Sequence, residues 1–377
     1  MGFNFPSPAT EGQVVTFVEG PSYVYQGGAW NRYNIGSTAT ALARNRIVNG
    51  AMQISQENGN TTGTTNAYYP ADQFLVSFVT SSAIINITRV NPIAGGGAVT
   101  PNGSYYRLRA GIPTADTSLT TNERLQFRTV IEGGKIADCG WGTAAARKFV
   151  LRFGWKSPAG TFSVSLHNSD TTRSYIAQFT VSAGQANVDT EQVIVIPGDT
   201  AGTWLSDTGI GIQINWNAAV GPSLVGVAGW QSSAAPGLFG MAGNSNGLAG
   251  ANDRFELFDV GLYLDPDNTG LAPKWEMPDE AEELRACQRY WEKNAGSGNT
   301  TRFNANVTSG TAYSVNQLFS TVKRAAPAVA LTNIYNLSFP VTVGSTGIDA
   351  AGFYEVRTAN ATGAGQFNSN WVANARM

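Results

Sequence analysis

The sequence predicts a mainly β protein: a small N-terminal β-module, an antiparallel jelly-roll β-sandwich, one short helix and a C-terminal β-domain. Charged residues make up only 13% of the 377 residues, whereas glycine reaches 43. Short runs of β-branched and aromatic residues recur along the chain between turns rich in Gly, Asn and Ser, a pattern typical of all-β domains. A single segment with helical periodicity interrupts these runs.

The composition also excludes several classes of function. The net charge is −2 and no basic block is present, which argues against nucleic acid as a partner. No apolar run approaches the ~18 residues of a membrane span, so no membrane insertion is expected. One histidine, His167, and two cysteines, Cys139 and Cys287, are too few for a His- or Cys-rich metal site. We therefore predict no metal and no cofactor.

Residues 1–44 form the predicted N-terminal β-module. Runs at 14–18, 23–25 and 29–33 carry β-branched and aromatic residues and are separated by Gly- and Pro-containing turns. Three short strands are marginally stable on their own. The module is therefore expected to need a neighbouring domain or chain.

Residues 45–266 are the predicted jelly-roll sandwich. Phe149, Leu151, Phe153 and Trp155 alternate with other residues and should share the core face of one strand. About ten such strands suit two packed antiparallel sheets. The candidate strands are 74–80, 84–90, 105–109, 124–132, 148–155, 162–167, 174–181, 191–196, 209–216 and 255–264.

Two connections inside the sandwich are long, at 92–104 and 218–251. Loops of this length are usually functional or mobile, although a variable connection without a role remains an alternative. Trp230 lies in the second loop, and Trp141 lies in a turn-rich stretch where a core position and an exposed one are equally compatible with the sequence.

Residues 267–298 are a predicted linker with an oligomerisation helix at 278–293. Leu284, Cys287 and Trp291 recur at helical spacing and define one apolar stripe. Because so short a helix is marginal alone in water, we expect the stripe to pack at a homo-oligomer axis. The two cysteines show no motif spacing; a disulfide is possible, but buried reduced thiols are the simpler interpretation.

Residues 299–377 return to β character and form the predicted C-terminal β-domain. The candidate strands are 302–307, 312–321, 328–335, 341–343 and 352–358.

Four segments resemble one protein family. Residues 283–293 read Glu-Leu-Arg-Ala-Cys-Gln-Arg-Tyr-Trp-Glu-Lys and follow a strand at 255–264, which resembles the junction after the jelly roll in tailed-bacteriophage tail fibres and prophage tail proteins. Residues 45–50, Asn-Arg-Ile-Val-Asn-Gly, and 72–74, Asp-Gln-Phe, resemble the opening of the same jelly roll. The first 33 residues resemble a short β-module frequent in such fibres.

The resemblance implies a virion protein, assembled in the host cytoplasm and exposed on the particle. It implies a homotrimer whose N-terminal module contacts other virion proteins and whose sandwich recognises host-surface polysaccharide. A decoration or connector protein without its own receptor binding is the alternative. Aromatic faces and amides suit sugar recognition, so Trp230 and Trp141 are the candidate ligand-binding residues.

An enzyme is not expected. Glycosidases need two carboxylates about 5–9 Å apart, and Asp253, Glu256 and Asp259 form the one cluster near a strand end. On a regular strand, Glu256 and Asp259 would point to opposite faces. His167 is the one candidate base for a triad and reads as a structural residue. No catalytic residue is therefore assigned.

Overall fold

The protein was examined as a computed structural model that describes residues 7–10, 14–16, 22–26, 28–33, 44–91, 99–294 and 300–377. The prediction of a mainly β fold with a jelly-roll sandwich and one short helix is confirmed. Parts of three predicted segments lie outside these residues: 17 and 18 of the first strand, 92–98 of the first long loop, and 295–298 after the helix.

The N-terminal module is an antiparallel meander of three strands. They are β1 (Val14–Thr16), β2 (Ser22–Gln26) and β3 (Ala29–Tyr33). Tyr25 and Trp30 face each other across β2 and β3 with ring centroids 5.4 Å apart. This cross-strand aromatic pair is the kind of contact that stabilises a small sheet.

The sandwich packs a seven-stranded sheet on a five-stranded sheet, and all strand pairs in both are antiparallel. The seven-stranded sheet consists of β4 (Tyr68–Ala71), β5 (Phe74–Val79), β8 (Arg124–Glu132), β10 (Gly160–His167), β11 (Arg173–Val181), β13 (Ile210–Val220) and β15 (Gly229–Ser232). Its strand order is β15-β11-β10-β13-β8-β5-β4. The five-stranded sheet consists of β6 (Ile84–Val90), β7 (Arg107–Thr114), β9 (Lys148–Lys156), β12 (Thr190–Ile196) and β17 (Arg254–Asp265). Its strand order is β12-β9-β17-β7-β6.

One large hydrophobic core fills the space between the two sheets. Phe149, Leu151, Phe153 and Trp155 of β9 all lie on the core side and are fully buried, as their alternation predicts. Trp155 contacts four other rings of the core, with centroid separations from 5.5 to 6.2 Å. The core therefore holds the two sheets in a fixed relation and leaves their outer faces for other roles.

The single α-helix of the described residues, α1 (Glu280–Gln288), is shorter than the predicted 278–293. The chain leaves the helix after Gln288, and Trp291 begins a strand, β18 (Trp291–Lys293). Cys287 and Trp291 are buried inside the chain and Leu284 is half-buried. The helix is therefore stabilised at least by packing within the chain, and an oligomer axis at Leu284, Cys287 and Trp291 stays a prediction.

Both cysteines are free and buried, as the simpler interpretation predicts. Burial raises the pKa of Cys139 to about 11 and also raises the pKa of Cys287. In the described part of the chain, no helix has the length and apolar character needed to cross a membrane.

Asp279 caps the N-terminus of α1. Its Oδ1 atom accepts hydrogen bonds from the backbone N–H groups of Ala281 and Glu282, each at 3.0 Å. Replacing Asp279 with alanine leaves these two donors to water and should lower the free energy of unfolding by about 1 kcal/mol. Urea unfolding would measure this loss, with Asp267→Ala in the preceding turn as a control that should change nothing.

The C-terminal domain contains two small sheets. One joins β18, β19 (Thr301–Val307), β21 (Ala328–Leu337) and β24 (Gly363–Asn374). The other joins β20 (Ala312–Leu318), β22 (Gly344–Thr346) and β23 (Gly352–Thr358). The strand predicted at 341–343 is wrong, because the chain forms β22 three residues later, where it pairs with β23.

Candidate functional site

The outer face of the seven-stranded sheet carries polar side chains in rows that run across the strands. One row joins Ser77, Gln126, Asn217, Ser163 and Gln178 through consecutive strand pairs. The next row joins Leu75, Arg128, Asn215, Ser165 and Ile176 in the same way. Because the neighbours of these residues along each strand face the core, the alternation itself places the rows on the outside. We call these two rows, with Arg124 beside them, the outer polar face.

Residues 237–241, the crossing segment, lie over part of the outer polar face. The backbone oxygen of Phe239 accepts hydrogen bonds from Ser163 Oγ and Asn217 Nδ2, both at 2.9 Å. The N–H of Leu238 donates to Ser174 Oγ at 3.1 Å. These bonds satisfy one half of the face from within the chain.

The crossing segment is also held by packing. The Phe239 side chain packs with Val220 and Leu224 in a small cluster outside the sheet. Gly237 has a φ of +100°, and a Cβ there would lie 2.9 Å from the His167 ring. Only glycine therefore lets the segment approach the sheet so closely. The predicted long loop at 218–251 is thus largely ordered. It includes β15 at the edge of the sheet and two short parallel strands, β14 (Val225–Gly226) and β16 (Gly240–Met241).

Part of the hydrogen-bonding capacity of the face, mainly on β8, is not satisfied in this way. Arg124 Nε, Gln126 Oε1, Arg128 Nε and Asn217 Oδ1 are buried and have no hydrogen-bond partner within the described residues. A buried polar group without a partner costs about 1–3 kcal/mol. Four such atoms on adjacent positions of one face leave hydrogen-bonding capacity that a polar ligand or ordered water can use.

His167 lies on the same face under the crossing segment. Its Nε2 atom is 2.9 Å from the Leu238 carbonyl oxygen and therefore donates the hydrogen, while Nδ1 accepts from Asn215 Nδ2 at 3.1 Å. No carboxylate hydrogen-bonds the ring among the described residues, and both partners suit a structural role. Burial lowers the pKa of His167 to about 4, and the nearby Arg128 charge acts in the same direction.

The depressed pKa of His167 predicts a stability that depends on pH. The unfolded chain binds a proton near pH 6.5 but the folded chain binds it only near pH 4, so unfolding takes up a proton between these values. Stability should therefore fall as the pH drops through this window, by about 2 kcal/mol between pH 7 and pH 5.

Because His167 is the one histidine of the chain, its imidazole resonance can be followed directly by NMR. We expect no titration of the folded protein above pH 5. A midpoint near 6.5 would contradict the buried, neutral ring. In denaturation experiments, His167→Gln should remove this part of the pH dependence and leave the part due to carboxylates.

Trp141 and Trp230 lie together in the folded chain, where their rings are in contact with each other. Trp141, Trp204 and Trp230 pack edge to face, with centroids 4.7 to 5.3 Å apart. Trp141 is buried and its indole N–H donates to Arg147 O; Trp230 is half-buried and donates to Pro197 O. A ligand role for Trp141 and Trp230 stays a prediction. Trp204, which the sequence did not single out, completes the cluster.

The acidic residues Asp253, Glu256 and Asp259 are arranged differently from what a regular strand predicts. Asp253 and Glu256 both line a cleft of about 340 Å³, and Glu256 is bonded to Arg107 at 2.9 Å and to Arg109 at 2.6 Å. Asp259 has a φ of 50° within an irregularity of β17, which breaks the alternation that predicted opposite faces. Its carboxylate instead accepts a bond from Thr100 Oγ1 at 2.7 Å. Burial raises the pKa of Asp253.

The motifs that carried the family resemblance meet at the junction between the sandwich and α1. Asn49 has a φ of 62°; its amide donates to Ile54 O and Asp72 O, and its backbone N–H donates to the Glu283 carboxylate. Arg289 pairs with Glu132 of β8 at 2.6 Å. These residues therefore hold the fold together, and none of them lies on the outer polar face.

A second cleft, of about 630 Å³, lies at this junction. It is formed by the start of the sandwich, the linker before α1 and the helix itself. Lys135 and Glu283 both line it, and burial lowers the pKa of the first and raises that of the second. Of the charged groups that line the cleft, the Glu283 carboxylate accepts the hydrogen bond from the backbone N–H of Asn49.

Comparison with solved structures finds that this chain is similar to a phage tailspike domain and to carbohydrate-binding modules. No protein-family model and no curated protein matches the sequence. The enzymatically active domain of tailspike protein 4 from bacteriophage CBA120 is 12% identical over 59% of this chain and 21% of that chain, with a TM-score of 0.32. This chain thus spans about a fifth of the tailspike domain.

Two carbohydrate-binding modules show similar values. The family 11 module of a cellulosomal cellulase from Clostridium thermocellum is 9% identical over 55% of this chain and 96% of that chain, with a TM-score of 0.29. The module TmCBM61, solved with β-1,4-galactotriose, is 11% identical over 59% of this chain and 99% of that chain, with a TM-score of 0.28.

Proposed function

We propose that this chain is a bacteriophage fibre or tail protein whose outer polar face binds host-surface glycan. The observation that carries the proposal is the set of unpartnered amide and guanidinium atoms on β8 and β13. Such groups, fixed on rigid strands, pair with sugar hydroxyls at little cost in ordering. The virion location is supported by the family resemblance of residues 45–50, 72–74 and 283–293.

The proposal describes a binding protein without catalytic activity. Glu256, the more buried of the two carboxylates that line the cleft of about 340 Å³, is held by Arg107 and Arg109, and such pairing suits a structural role. His167 is hydrogen-bonded to an amide and a backbone carbonyl. Incubation with any polysaccharide that binds should therefore release no reducing ends.

A glycan array with the purified full chain tests the proposal. We expect binding to at least one bacterial surface polysaccharide, and the same polysaccharide should compete with adsorption of the particle. Ser77→Trp would place a large side chain on the outer polar face and should lower the affinity at least tenfold. The matched control is Ser314→Trp, on the exposed side of β20, which should bind normally.

The proposal would be abandoned if the array gave no signal while particles lacking the chain adsorbed normally. It would also be abandoned if the Ser77→Trp protein, shown to be folded, bound as tightly as the wild type.

A connector without receptor binding is the second candidate, favoured by one observation. The C-terminal domain exposes large apolar side chains: Leu318, Ile334, Tyr335, Leu337, Val341 and Tyr354. Apolar surface of this kind is typical of contacts between chains.

Together with the family resemblance, this apolar surface supports the proposal that copies of this chain associate as a homotrimer. Light scattering that shows a stable monomer at micromolar concentration would contradict it.

A further inference from the structure

The outer polar face carries positive charge that nothing in the described structure balances. Within the described residues, eight of the 18 arginines of the chain form ion pairs with carboxylates. Arg124 and Arg128 belong to none of these pairs. The Arg124 side chain donates to the backbone oxygen of Asn122, at 3.1 Å, and the Nε atom of Arg128 is buried without a hydrogen-bond partner among the described residues.

The rows beside Arg128 contain amides and hydroxyls, whereas Arg124 is flanked on the neighbouring strands by Val79 and Val220. The two rows of the outer polar face place Ser, Gln, Asn, Leu and Ile beside Arg128, and no Asp or Glu occupies either row. Both arginines are half-buried, and burial lowers the pKa of each because the charged form loses solvation. An anion on this face would restore the balance of charge.

The geometry of a guanidinium group limits which anions can pair well with the two arginines. Its planar fork of donors matches the two oxygens of a carboxylate or phosphate, and such bonds are stronger than neutral ones. Gln126 lies between the two arginines on β8 and offers an unpartnered Oε1 acceptor. A sugar hydroxyl can donate to this oxygen while an acidic group on the same ligand accepts from Arg128.

We infer that the outer polar face selects acidic glycans, in which a sugar carboxylate or phosphate pairs with Arg128 beside Gln126. This inference rests on the proposed function and specifies its ligand class. Arg124 lies about 13 Å further along the same strand and would contact a second acidic group of an extended chain. The Arg124 guanidinium carbon is 5.7 Å from the centre of the Phe239 ring, which holds it at the edge of the crossing segment.

The test uses the full chain and an array that contains neutral, uronate-bearing and phosphate-bearing polysaccharides. We expect the ligands to be acidic. Carboxyl reduction of a uronate ligand, or dephosphorylation of a phosphate ligand, should lower its affinity at least tenfold, and these two treatments distinguish the two sources of charge. Arg128→Gln should cause a similar loss with the untreated polysaccharide and little further loss with the neutralised one.

Arg302→Gln provides the matched control, since Arg302 is exposed on β19 in the C-terminal domain. It should bind as the wild type does, and both variants should keep the wild-type unfolding midpoint. Ligands that are exclusively neutral, or that bind equally after neutralisation, would overturn the selectivity and leave glycan binding intact. An array without any ligand would instead overturn the proposed function, and the inference with it.

Discussion

Replacing Arg357 with methionine is expected to lower the free energy of unfolding of the C-terminal domain by about 3–5 kcal/mol. Arg357 and Glu355 lie on β23, and both side chains are fully buried at 2.8 Å from each other. The Glu355 carboxylate also accepts hydrogen bonds from the hydroxyls of Ser369 and Thr301. Removing the guanidinium leaves a buried carboxylate whose charge no longer has a partner.

Urea unfolding of the full chain, followed by circular dichroism, measures this loss. The double variant Glu355→Met with Arg357→Met should recover part of the stability, because both charges are then absent. Arg302→Met, on the exposed side of β19, is the control and should cost less than about 0.5 kcal/mol. A loss below 1 kcal/mol for Arg357→Met would show that the pair is open to water.

Replacing Trp155 with alanine should lower the stability of the sandwich by about 3–5 kcal/mol. The side chain is fully buried and touches the rings of Phe127, Phe162, Phe179 and Phe255. These aromatic residues come from both sheets, so the cavity left behind cannot close by moving one strand alone. The substitution also removes the hydrogen bond that the indole N–H donates to Ser157 Oγ at 2.9 Å.

Calorimetry of the full chain tests this second expectation. Val193→Ala removes apolar atoms from an exposed position of β12 and should leave the sandwich transition nearly unchanged. If Trp155→Ala shifted the midpoint no more than Val193→Ala does, the shared core of the two sheets would be contradicted.

Alternation along single strands carried most of the correct predictions. The spacing of Phe149, Leu151, Phe153 and Trp155 identifies the core face of β9 without knowledge of its neighbours, because the side-chain period of a strand is two. Strand β24, which pairs with β18, β19 and β21, was missed. Five of its twelve residues are Gly or Asn, a composition shared with loops, so its strand character comes from the partners on both sides.

The end of the helix shows the same competition between local and tertiary forces. Helical spacing extends from Leu284 to Trp291, and the sequence alone gives no reason to stop at Gln288. In the folded chain Arg289 and Tyr290 bond Glu132 of β8, and Trp291 pairs with Asn374 of β24. These long-range contacts offset the helical turn that is given up.

The candidate site needed the strand order. Ser163, Gln126 and Asn217 each alternate with core residues, so their outward position is visible in the sequence. That they form one face depends on the order β10-β13-β8, which joins segments far apart in the chain. Trp230, chosen because it lies in a long Gly-rich loop, instead packs on Tyr175 at the edge of the sheet. Aromatic content alone does not distinguish these two environments.

The most direct test of the glycan-binding account is a crystal structure of the full chain with an oligosaccharide identified on the array. The account predicts sugar density on the outer polar face, with hydroxyls within hydrogen-bond distance of Gln126 Oε1 and Asn217 Oδ1 and an acidic group at Arg128. Sugar bound instead in the cleft beside Asp253 and Glu256, or on the C-terminal domain with the outer polar face empty, would contradict it.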